Sequence, residues 1–194
     1  VVSWMVESIT TAIGNARRYK QALQSAVTDK LTGLHNKAYF EETLKNEMAR
    51  SANFNRAVSL LIFDVDNFKK YNDTYGHLKG DDILRQVGKT LSSLAKRPGE
   101  FVARYGGEEF VALLPHAKCA DLTPLGAIFC DAIRDLQIQH GGSNCASVVT
   151  ISVGMISAIP KSTHPPSSFV QLADQLLYQA KQEGRNRFVA RCYE

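Results

Sequence analysis

Apolar or small residues fall at Val2, Met5, Ile9, Ala12, Ala16, Tyr19, Leu23 and Ala26, in alternating steps of three and four. That spacing is the heptad seam of a coiled coil. Three alanines keep the seam shallow, so pairing of two such helices is expected to be weak and adjustable. An amphipathic helix packed on its own domain would carry the same pattern. After Gly33 the pattern changes. Phe40, Leu44 and Met48, with Glu47 beside them, trace one face of a helix from Lys37 to about Ser51, for which Asn36 offers an N-cap. Ala57 to Phe63 is a nearly continuous apolar run, as in a central strand covered on both sides. Helices are predicted over about Phe68–Tyr75 and Asp81–Lys96, and strands over Phe101–Tyr105 and Phe110–Leu114. A helix near Asp121–His140, a strand over Ser147–Ile159, a helix over about Ser167–Glu183 and a short strand at Phe188–Arg191 complete the chain. The order β-α-α-β-β-α-β-α-β implies an α+β fold: a mostly antiparallel central sheet flanked by helices, expected on one side, after an N-terminal coiled-coil helix. The predicted division is a helix over residues 1–28 and a globular domain over 29–194.

Composition narrows this picture. At 194 residues and 44% hydrophobic, the chain can bury one full core plus an appendage. Its net charge of +4 is modest, and the cations are not interleaved with aromatics, so nucleic acid is not the expected partner. A small polyphosphate suits them better. Cys119, Cys130, Cys145 and Cys192 lack metal-ligand spacing and read as thiols in a reducing cytoplasm. No apolar run approaches a membrane span and no signal peptide is visible. The chain opens at Val1 in what reads as mid-helix, as expected of a piece of a longer protein.

The chemistry gathers around Arg104-Tyr105-Gly106-Gly107-Glu108-Glu109-Phe110. Gly106-Gly107 between two strands predicts a tight hairpin, since positive φ costs glycine nothing. Two adjacent carboxylates follow, and neighbours in a strand point to opposite faces. A turn without β-carbons admits a bulky anion, and a carboxylate beside it can hold a metal between protein and phosphate. Asp64 ends the buried run, in line with Leu60 and Ile62, so its charge at the lip of the core needs a partner. Mg²⁺, which takes one or two carboxylates plus substrate phosphates, is a natural one; an N-cap for the next helix is the plainer alternative.

These residues resemble the Gly-Gly-(Asp/Glu)-Glu-Phe signature of the GGDEF-domain diguanylate cyclases. The resemblance extends from about Asp29 to about Arg191 and includes Asp29-Lys30-Leu31-Thr32-Gly33-Leu34-His35-Asn36-Lys37, with lysine where the family has arginine. It implies a palm like that of nucleotide cyclases and an enzyme that condenses two GTP into cyclic di-GMP, working as a dimer of domains. It implies Mg²⁺ or Mn²⁺ at Asp64, Glu108 and the carbonyl of Val65, with Glu109 also implicated. Lys69, Lys181 and Arg185 match residues near the phosphates, and Asn72 and Asp81 match those that contact guanine. Guanine's edge presents two donors that a carboxylate accepts together. Capping alone would also explain Asp81 at a helix start and Lys181 near a helix end before Gly184. Arg97-Pro98-Gly99-Glu100 matches the family's inhibitory product site, Arg-x-x-Asp, with glutamate in place of aspartate, and reads equally as a plain helix-to-strand turn. A GTP-sensing or interaction module without catalysis is the rival reading, and a mononucleotide cyclase a third.

Overall fold

The computed structural model describes Gly14, residues 26–161 and residues 163–193, so the heptad positions from Val2 to Leu23 lie outside the described residues. The elements are α1 (Lys37–Phe54), β1 (Val58–Val65), α2 (Phe68–Tyr75), α3 (His77–Leu94), β2 (Phe101–Gly106), β3 (Glu109–Pro115), α4 (Cys119–Arg134), β4 (Ile151–Ala158), α5 (Pro166–Gln182) and β5 (Phe188–Tyr193). The five strands lie in the order β2-β3-β1-β4-β5, antiparallel except for the parallel pair β4/β5. All eight residues of β1 are buried, as its position between β3 and β4 demands.

Strand alternation divides the core into two layers. Leu61, Phe63 and Val65 pack with Phe68 and Tyr71 of α2, Val87 and Leu91 of α3, and Phe129 and Ile133 of α4. Leu60 and Ile62 point the other way, toward Phe40, Leu44 and Met48 of α1 and Ala173, Leu176 and Leu177 of α5. Helices therefore cover both faces of the sheet. The expectation of helices on one side is wrong, and the apolar run of β1 is the reason: a strand without polar alternation must be roofed twice. The α5 roof lies close. A β-carbon on Gly154 of β4 would collide with the backbone at Ala173 and Leu177.

Three boundaries differ by four residues or more from the pattern's prediction. Helix α3 begins at His77, four residues before Asp81, because Gly76 at φ 86° ends α2 and immediately starts the next helix. Helix α4 stops at Arg134, short of His140; Gln137 takes a left-handed φ of 51°, and Gln139 bridges back to Val148. Consequently β4 starts at Ile151.

The cysteines do not all remain thiols. Cys119, at the start of α4, and Cys192, near the end of β5, form a disulfide with Cα atoms 5.6 Å apart. They are 73 residues apart in sequence, so no local spacing announces the pair. Cys130 and Cys145 are free, and burial pushes the Cys130 thiol up to about 12. No helix among the described residues is long and apolar enough to cross a membrane.

Candidate active site

The hairpin turns one residue later than glycine content predicts. Gly106 pairs with Glu109, and the two-residue turn is Gly107-Glu108, with Gly107 at φ 48°. A register shift between Arg104 and Gly106 absorbs the offset. Asp64 and Glu109 are opposite one another across the β1/β3 ladder. Directly opposed residues share a face, so both carboxylates lie on the α1/α5 side. Glu108 sits in the turn, where its carbonyl accepts the Val65 N–H at 3.3 Å. Three acidic residues thus fall where β1 ends and β3 begins.

An arginine that composition does not single out braces this turn. Arg104 donates from Nε and Nη2 to the Gly107 carbonyl, at 3.0 and 2.7 Å, and from Nη1 to both oxygens of Asp29, at 3.2 and 3.3 Å. Asp29 is itself fixed by the N–H and hydroxyl of Thr32, at 2.9 and 2.7 Å. These hydrogen bonds hold the Asp29 carboxyl below its usual value, although burial pushes the other way. The signal was the presence of both residues in the quoted motifs, but nothing in either motif says that they touch. Lys37, standing where the family has arginine, lies 4.2 Å over the Tyr105 ring and 3.9 Å from Glu41.

Charge at the carboxylates is out of balance. Lys181 of α5 reaches Asp64 Oδ2 at 2.8 Å. Burial nevertheless raises the Asp64 carboxyl to about 6; the lysine opposes that rise, and Glu108 and Glu109 add to it. Glu109 is also pushed up, first by burial and then by Asp174 and Glu108. Lys181 facing Asp64 and Glu109, with Lys37 acting more weakly on Glu109, still leaves room beside three acidic residues for a further cation. Among the described residues no three His, Cys, Asp or Glu side chains form a ready-made metal cage. The donor set fits an ion that takes its remaining ligands from substrate phosphate and water, which is the habit of Mg²⁺.

The loop after α5 is pinned to the same place. Asp66, fully buried, accepts from Thr150 Oγ1 at 2.8 Å, Ser152 Oγ at 2.6 Å and the Asn186 N–H at 3.0 Å. Arg185 and Asn186 adopt left-handed φ of 64° and 50°. The Arg185 N–H caps the Ala180 carbonyl at 3.0 Å, and its Nη1 is 3.5 Å from the Lys181 carbonyl.

On the other side of the sheet, α2 leaves the end of β1 carrying Lys69, exposed, and Asn72. Asn72 Oδ1 is buried without a hydrogen-bond partner. It occupies the space a side chain at Gly80 would fill, with Asn72 Cγ only 3.0 Å from an added β-carbon. Asp81 lies one residue beyond Gly80, in the second turn of α3, so it does not cap that helix. Asp82 pairs with Arg85 at 2.8 Å, whereas no partner holds Asp81 among the described residues. Asp64 is likewise no N-cap, since Asn67 occupies that position in α2. Arg97 and Glu100 close on each other: Glu100 Oε2 accepts the Arg97 N–H at 2.9 Å, around a turn with Gly99 at φ 85°.

Comparison with known proteins identifies the family. Residues 26–187 match the family described as diguanylate cyclase, GGDEF domain. The chain belongs to that family. It is 38% identical over 176 residues to the response regulator PleD of Caulobacter vibrioides, covering 88% of this chain and 37% of PleD. It is 36% identical over 183 residues to the diguanylate cyclase DgcS of Shewanella oneidensis, covering 93% of this chain and 56% of DgcS. The chain therefore spans about half or less of the length of these relatives. Among solved structures, the coiled coil and GGDEF domain of DgcB from Caulobacter crescentus, in complex with c-di-GMP, aligns with a TM-score of 0.84 at 28% identity. That alignment covers 97% of this chain and 98% of the DgcB chain. The active GGEEF domain of a diguanylate cyclase from Vibrio cholerae aligns with a TM-score of 0.68 at 28% identity, over 83% of this chain and 98% of that one.

Proposed function

We propose that this chain condenses two GTP into cyclic di-GMP and two pyrophosphates. The observation that carries the reading is the β1/β3 register, which sets Asp64 beside Glu109 next to the Glu108 turn, with Lys181 reaching in from α5. The Vibrio cholerae domain described as active has the same five letters, Gly-Gly-Glu-Glu-Phe, that stand here at Gly106–Phe110. Glutamate at the third position is thus no argument against turnover.

Each residue has a definable task. Asn72 Oδ1, buried and unpartnered, accepts from guanine, and Asp81 accepts from the N1–H and N2–H₂ pair. Lys69 and Lys181 act as point charges on the phosphates, and Arg185 as a planar fork. Gly106 and Gly107 let the phosphates approach the backbone. Asp64, Glu108 and the Val65 carbonyl would hold Mg²⁺ or Mn²⁺. When bound, such an ion lowers the pKa of the attacking hydroxyl and neutralises charge on the transferring phosphoryl group. Lys181 must leave Asp64 to reach a phosphate, so substrate loading exchanges one ionic contact for another.

In the reaction the ribose 3′-oxygen of one GTP attacks the α-phosphorus of the other and pyrophosphate leaves; the second pairing repeats this. One site holds one GTP, so two domains must face each other. Pairing of two chains through the heptad seam in the sequence of residues 1–28 would bring them together, under control of a sensory part upstream. Product chromatography after incubation with GTP and Mg²⁺ tests the proposal. Cyclic di-GMP is expected, with specific activity rising with protein concentration and falling at least a hundredfold in Glu108→Ala. Cyclic GMP, or no turnover alongside tight GTP binding, overturns it.

A further inference from the structure

The pole of the sheet opposite the carboxylates carries a groove that the proposed reaction leaves unused. It has a volume of about 1210 Å³ and lies where α1 ends, β3 passes into α4, and β4 and β5 finish. Arg56, His116, Lys118 and Lys161 line it, and no aspartate or glutamate does. None of these four is in an ion pair among the described residues; Arg56 lies 5.5 Å over the Phe54 ring instead. A smaller hollow of about 210 Å³ shares Asn53 and Lys161 with the groove and adds Lys45 and His164, again without an acid. Asn53 and Asn55, both exposed, add amide donors to the groove.

This is not a diffuse consequence of net charge. The hollow beside Glu109 at the other pole, of about 630 Å³, is lined by Glu41, Glu109 and Asp174 and by no lysine or arginine. Helix α1 runs between the two, with Glu41 at one end and Asn53 at the other. The linings of the two hollows are therefore opposite in sign, although Lys37 and Lys181 lie near the acids at the hairpin end. A concave surface lined by one sign of charge focuses the field and concentrates counter-ions of the opposite sign. Arginine and lysine together suit phosphate oxygens, the first as a fork and the second as a point charge.

We propose that this groove is a second anion site, for a small ligand bearing two or more phosphate groups, separate from the GTP site. The probe is inorganic tripolyphosphate, titrated in EDTA into the whole chain and followed by backbone amide NMR. Saturable shifts are expected at residues 55–57, 116–119, 158, 159 and 161. The combined variant Arg56→Gln, Lys118→Gln and Lys161→Gln should weaken those shifts at least tenfold in affinity while its melting temperature is unchanged. Lys181→Ala with Arg185→Ala should leave them in place. If shifts are confined to 106–109 and 181–185, or are unaffected by the triple variant, the site does not exist. Shifts that grow linearly without saturation mean nonspecific surface attraction and equally overturn the proposal. So does a groove that responds only to phosphatidylserine vesicles, since the occupant would then be a membrane.

Discussion

Substituting Gly154 by alanine tests how tightly α5, and with it Lys181 and Arg185, is held. An added β-carbon would strike Ala173 O and Leu177 N and stand 2.9 Å from Leu177 Cα. All three are backbone atoms, which cannot rotate aside as a side-chain tip can. The only relief is to lift α5 from β4 by on the order of 1 Å, opening a gap beneath Ala173, Leu176 and Leu177, all buried. Overpacking typically costs about 1–3 kcal/mol, and a clash with fixed backbone belongs at the top of that range. For a domain of this size, about 3 kcal/mol corresponds to a fall in Tm of roughly 6–12 °C. Displacing catalytic groups by about 1 Å can cost about a hundredfold in rate, so turnover should fall with stability. Thermal melts by circular dichroism and steady-state cyclic di-GMP production read the two effects. Gly106→Ala is the stability control, since nothing lies within 4 Å of its added β-carbon. A Gly154→Ala protein melting within about 2 °C of the parent would refute the close approach of α5.

The buried carboxylate makes metal-free stability depend on pH. The Asp64 carboxyl is raised from 3.8 to about 6, so between those values the folded state holds a proton that the unfolded state has released. Stability in EDTA should therefore fall as pH rises from about 4 to 6.5, by at most about 3 kcal/mol from this group; denaturant titrations of Asp64→Asn should lack that component. Asp81→Ala should narrow the preference for GTP over ATP, which in a site built to pair guanine's donors is on the order of 10⁴; isothermal titration with both nucleotides checks it, and an unchanged ratio removes Asp81 from base recognition. Because Glu100 is turned onto Arg97's own N–H, Arg97→Ala should change product inhibition less than threefold, and tight cyclic di-GMP binding lost in that variant would contradict this reading.

Local features of the site are legible in the sequence, and pairings across the chain are not. Asp64 stands out because a charge closes an apolar run, and the hairpin because two glycines separate two strand patterns. Period alone does not say that β1 pairs with β3 in the register that opposes Asp64 to Glu109. The Arg104–Asp29 brace links residues 75 apart, and the lysine on Asp64 arrives from α5. The turn position eluded glycine content because Gly107 takes the positive φ while Gly106 stays in the ladder. The start of α3 was hidden for a related reason: Gly76 caps α2 and begins α3 at once, leaving no loop to mark the boundary.

The Cys119–Cys192 bond also divides the molecule as a mechanical object. It closes α4, β4, α5 and nearly all of β5 into a covalent ring, which includes Lys181 and Arg185, while Asp64 and Glu108 lie on the open thread that leads to it. Tension applied to the two ends bypasses the ring. The thread can be drawn out, but the stretch between the cysteines, 73 positions apart, stays looped and withholds roughly 250 Å of extended length until the bond is reduced. Under load, Asp64, Lys69 and Glu108 would be stretched away while Lys181 and Arg185 remained tied in a closed loop.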